Sequence, residues 1–115
     1  MNYSARANAE ELRELAAGSI TANFVAVGAT PTQPAYNTII MNWTDADLYF
    51  GWEQEDGLLT RLWLPSETAI TIDHQANKKG DDGDLNFPIG RTIYVKRDET
   101  PTTKKVTVTY MYGGK

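Results

Sequence analysis

The sequence predicts an all-β domain: an antiparallel β-sandwich or jelly roll of about seven to eight strands with a short N-terminal helical arm. Three observations predict it. From Ser19 onward, short segments rich in β-branched and aromatic residues are separated by turn residues at intervals of roughly ten. Two of these segments alternate apolar and polar side chains with the period of two that marks a half-buried strand. The links between segments are short, which favours an antiparallel meander or Greek key, because parallel crossovers need intervening helices that the sequence lacks.

Residues 8–17 read as a helix. Asn8 can cap it, Glu11 answers as the second half of a capping box, and Gly18 can take the left-handed conformation that ends it. Its apolar stripe is Leu12, Leu15 and Ala16, and so short a helix is stable only if that stripe packs on the domain's own sheet or on a neighbouring subunit. The expected organisation is therefore an arm over 1–17 and a sandwich over 18–115. Strands are expected at 20–27, 38–43, 48–52, 58–64, 68–73, 92–96 and 106–112. In 68–73, Ile70 and Ile72 mark the buried side; in 106–112, Val106, Val108 and Tyr110 share one face and Thr107, Thr109 and Met111 the other. Asp56-Gly57 offers the positive-φ pair of a hairpin joining 48–52 to 58–64 across a loop of about five residues. Polar turns are expected at 42–47, at Pro65-Ser66 and at Pro101-Thr102-Thr103, and longer loops at 29–37 and 75–88.

The 115 residues suit one core, and 41% hydrophobic with 23% charged residues is the balance of a chain that folds. With no cysteine, disulfides, thiolate nucleophiles and Cys-based zinc sites are excluded. The longest apolar run, Phe24 to Val27, is far short of a membrane span, and Glu10, Glu11 and Glu14 stand where a signal peptide would be apolar. The net charge of −4 and the scattering of basic residues into pairs disfavour nucleic-acid binding, which needs a concentrated positive face.

Candidate chemistry is sparse. His74 follows Asp73 at a strand end, but neighbours on a strand point to opposite faces and no nucleophile motif accompanies them, so an enzyme is not expected. Asp81, Asp82 and Asp84 on a glycine-containing loop resemble a calcium site without the spacing of an EF-hand, and a solvated loop beside Lys78 and Lys79 is the preferred reading. Trp43, Trp52 and Trp63, with Tyr49 and Phe50, offer a stacking platform for a sugar, or else fill the core and cross-strand pairs. Asn42-Trp43-Thr44 matches a glycosylation sequon.

Several segments, in order, resemble small structural proteins of tailed bacteriophages: Gly18 to Gly28, the polar turn Asn42 to Asp47, the Leu64-Pro65 corner, Asp73 with Asn77-Lys78, Gly90 to Lys96, and a closing strand over 106–112. The resemblance implies a virion component without catalytic residues or cofactor, either a capsid decoration or cement protein or a ring or adaptor protein of the neck or tail. Its partners would be copies of itself and other virion proteins. The assembly contacts expected are Leu12 and Leu15 on the arm and Lys78, Lys79, Asp81, Asp82 and Asp84 on the long loop. The alternative from another class is a carbohydrate-binding sandwich module that uses exposed tryptophans.

Overall fold

The computed structural model describes residues 10–32, 35, 37–73 and 91–111. These residues form β1 (Glu10–Ala16), β2 (Val25–Ala26), β3 (Asn37–Asn42), β4 (Leu48–Gln54), β5 (Gly57–Leu64), β6 (Thr68–Asp73), β7 (Tyr94–Arg97) and β8 (Lys105–Met111). One sheet has the order β1-β8-β3-β6 and the other β2-β7-β4-β5, with every neighbouring pair antiparallel. Strand β1 pairs with β8, β2 with β7, β3 with β6 and β4 with β5, alternating between the sheets. The chain is thus one long hairpin wound around its own core, which is the jelly roll.

The core lies between the sheets. Ile40, Val106, Val108 and Tyr110 from one side meet Leu48, Phe50, Ile93 and Val95 from the other, all at 0% exposure. The core face expected in the last strand is observed at Val106, Val108 and Tyr110, although Thr107 on the opposite face is buried too; Ile70 and Ile72 of β6 pack against the same core while Ala69 and Thr71 are exposed. Tyr110 also ties the layers together by a polar bond, its hydroxyl accepting the Ile93 N–H at 3.1 Å and satisfying a buried donor.

The expected N-terminal helix is corrected. Residues 10–16 are strand β1, in register with β8 from Glu10 opposite Met111 to Ala16 opposite Lys105, and only a 3-10 turn, Ala17–Ser19, follows. Glu, Leu, Arg and Ala are strong helix formers, but local preference amounts to tenths of a kcal/mol per residue. Pairing with β8 satisfies a whole row of backbone groups that a helix would leave open on that strand. The expected strand 20–27 is also shortened to β2. The Thr21 hydroxyl accepts the Asn23 N–H at 3.1 Å, bending the chain where it crosses between sheets, while Ile20 and Val27 still enter the core. The β4–β5 hairpin is tighter than expected: pairing runs on to Gln54 opposite Gly57, and Gly57, at φ 98°, supplies the left-handed residue that closes the turn.

Candidate functional site

The strand conformation of β1 separates the two leucines that a helix would have stacked. Leu12 points outward and is 54% exposed, whereas Leu15 is half-buried and packs against the core. Lys78, Lys79, Asp81, Asp82 and Asp84 lie outside the described residues, as does His74. The aromatic platform does not assemble. Trp52 and Phe50 are core residues; Trp43 extends from the end of β3 over the outside of one sheet, and Trp63 stands on the outside of the other beside its cross-strand partner Tyr49. There the carboxylate of Asp98 beside the Tyr49 hydroxyl pushes the phenol above its usual value. Among the described residues no group of three or more carboxylate or imidazole side chains could hold a metal ion.

The sequon asparagine has a different task. Asn42 is 1% exposed; its Nδ2 donates to the carbonyls of Ala46 at 2.9 Å, Leu64 at 3.0 Å and Pro65 at 3.1 Å. Its Oδ1 accepts the Thr44 N–H at 3.0 Å and the Thr44 hydroxyl at 2.7 Å. This side chain fastens the β3–β4 corner to the β5–β6 corner, so its amide nitrogen is not available to a glycan.

The four sheet edges are not alike. An edge strand exposes unpaired N–H and C=O groups that invite another chain, and proteins guard such edges with short strands, bulges and inward-pointing charges. Strand β2 is two residues long. Strand β5 has a register shift between Phe50 and Gly51, leaving Arg61 as an extra residue. Its guanidinium folds back to donate to the Trp52 carbonyl at 3.2 Å, the Gly57 carbonyl at 2.8 Å and Asp56 Oδ1 at 2.6 Å, which holds the Asp56 carboxyl below its usual range. Strand β1 turns Glu11 and Arg13 towards the sandwich, where they pair with each other. Arg13 Nε donates to the Ala29 carbonyl at 2.9 Å, and the Thr32 hydroxyl donates to Glu11. Gly28, at φ 75°, permits this clasp, because a Cβ there would stand 2.7 Å from Arg13 Cδ.

Among the described residues, strand β6 shows none of these guards. It pairs with β3 without a bulge over its full length, Thr68 opposite Asn42 to Asp73 opposite Asn37, and no strand among the described residues pairs with its other side. Up to its last residue, the charged Asp73, the strand reads Thr-Ala-Ile-Thr-Ile, without proline, glycine or charge.

A second feature is a depression of about 350 Å³ lined by Ala16, Trp43, Lys104 and Lys105. Three segments converge there through main-chain bonds: Ala17 N–H to the Lys104 carbonyl and Trp43 N–H to the Lys105 carbonyl, both 3.0 Å. The turn carrying Lys104 is held by Asp45, which accepts the Thr102 N–H at 2.8 Å as well as the Thr102 hydroxyl. Those bonds, the hydroxyl's first, keep the Asp45 carboxyl below its usual value.

No protein-family model matches the chain, and no curated protein does. Among solved structures, a crystal structure of PirA matches over 97% of this chain and 99% of that chain, with 10% sequence identity and a TM-score of 0.39. At that distance the likeness transfers neither fold nor function.

Proposed function

We propose that this chain is a structural subunit of a tailed-bacteriophage virion, a capsid decoration or cement protein or a neck or tail ring component, that acts by binding other subunits. The observation that carries this reading is the contrast between the three guarded edges and the β6 edge, which no strand among the described residues pairs with. A second copy fits that edge by two-fold antiparallel pairing. In the register centred on Thr71, each Thr71 faces its counterpart and each Ile70 faces Ile72, so the apolar inner face continues across the junction. The order of the phage-like segments supports the same reading. Two of them, the Asn42 turn and the Leu64-Pro65 corner, are fastened to each other by Asn42, a structural role consistent with a chain whose work is to hold shape.

The test is the oligomeric state by native mass spectrometry together with co-sedimentation on purified capsids. The wild-type chain is expected to self-associate, and Thr71→Lys to prevent it by opposing like charges while leaving the exposed site's fold intact. Thr71→Glu should also remain monomeric alone, and mixing the two variants should restore pairing. A wild-type chain that stays monomeric at all concentrations and does not bind capsids overturns the reading.

A further inference from the structure

The depression beside Trp43 points to a ligand rather than to assembly. The indole is 45% exposed, yet it is not loose: its Nε1 donates to Thr107 Oγ1 at 3.3 Å and its backbone is bonded to β8. The ring's single donor is thereby occupied, and what remains available is the carbon face, which attracts C–H-rich surfaces. Ala16 is the small residue of the lining. Lys104 and Lys105 also line it, and each brings a positive charge on a long apolar stem. Lys105 is partly neutralised by Glu14, 3.1 Å from its Nζ, which leaves the Lys104 charge as the stronger attraction for an anion. Lys104 also has φ 64°, a left-handed conformation that glycine adopts far more readily, and it is held there by the Asp45 clasp on the preceding turn and by the Ala17 bond. The indole and the Lys104 backbone are therefore held before any ligand arrives, which lowers the ordering cost of binding.

We infer that this depression binds an acidic saccharide, with one hexuronic acid ring lying on the Trp43 face and its carboxylate at Lys104. A volume of about 350 Å³ is at the small end of ligand pockets and suits a single ring. A lining with a single aromatic ring fits a sugar that keeps its hydroxyls hydrated better than a flat aromatic anion, which would gain from a second ring. The site lies at the Ala16 end of β1 and is independent of the β6 edge, so subunit pairing and saccharide binding can succeed or fail separately.

The probe is tetragalacturonate, titrated into the full chain with tryptophan fluorescence and calorimetry as readouts and the uncharged tetragalactose as the comparison. Tetragalacturonate is expected to give a saturable change, with at least tenfold weaker binding of the neutral oligomer and affinity that falls as salt rises. Trp43→Ala should abolish the response, and Lys104→Gly should weaken it several-fold. The glycine variant keeps the test clear of unfolding, since glycine accepts the Lys104 backbone conformation and the thermal midpoint should not fall. No saturable change, equal affinity for tetragalactose, binding unaffected by Trp43→Ala, or equal displacement by a polyglutamate peptide would each overturn the assignment.

Discussion

Asn42 shows how much one side chain can decide in a small sandwich. Its amide serves two corners at once, so Asn42→Ala takes the partner from the Thr44 N–H and from the Leu64 and Pro65 carbonyls. At roughly 1–3 kcal/mol for each unsatisfied buried group, partly relieved by relaxation, the expected loss is about 3 kcal/mol, read by urea denaturation. Asp45 makes a pH-dependent contribution of known sign. Its folded pKa is lowered by the Thr102 bonds, so the stabilisation is present above the usual carboxylate value of 3.8 and is lost as pH falls through the lower folded value. The stability difference between the wild type and Asp45→Ala should therefore hold at neutral pH and shrink towards zero in acid, in denaturant titrations repeated across that range.

At the level of elements, β1 is the decisive case, because helix and strand make opposite statements about the same residues. On a helix Leu12 and Leu15 share a stripe and both matter. On the strand only Leu15 reaches the core, so Leu15→Ala should cost about 2 kcal/mol and Leu12→Ala should stay within about 0.5 kcal/mol. Equal losses at the two positions would restore the helix. The sequence 10–16 gives no local warning of this outcome: its inward residues are Glu11, Arg13 and Leu15, so the period of two that identifies β6 and β8 is hidden by a salt bridge. The charges are inward because β1 is an edge and its inner rim is capped by the Ala29 and Thr32 loop, a condition set by chain segments distant in sequence.

For the whole molecule, the jelly-roll winding joins the first strand to the last and makes most pairings non-local. Such topologies close long loops before burial rewards them, so refolding is expected on the scale of milliseconds to seconds, measurable by stopped-flow tryptophan fluorescence. Trp52, in the core, should report the closing of the sandwich, while the exposed Trp43 and Trp63 should change less. The winding also explains the placement of the two surfaces proposed for function. It leaves β6 at the end of one sheet, and it brings the end of β1, the end of β3 and the start of β8 together around Trp43.

Local sequence pattern is enough for the all-β class, the antiparallel strands between residues 37 and 73, and the buried faces of β6 and β8. Each of these depends on period-two patterning or turn chemistry, which acts over a few residues and is therefore written in a short window. Tertiary structure decided what short windows cannot hold. It converted a helix-forming segment into β1 because β8 needed a partner; it cut 20–27 to β2 because the chain must change sheets there. It also sent Trp43, Trp52 and Trp63 to three different environments and made Asn42 a buried fastening. In each case the deciding partner lies across the sandwich or on another strand, and the free energy of satisfying and burying those groups exceeds the local preference that the sequence expresses.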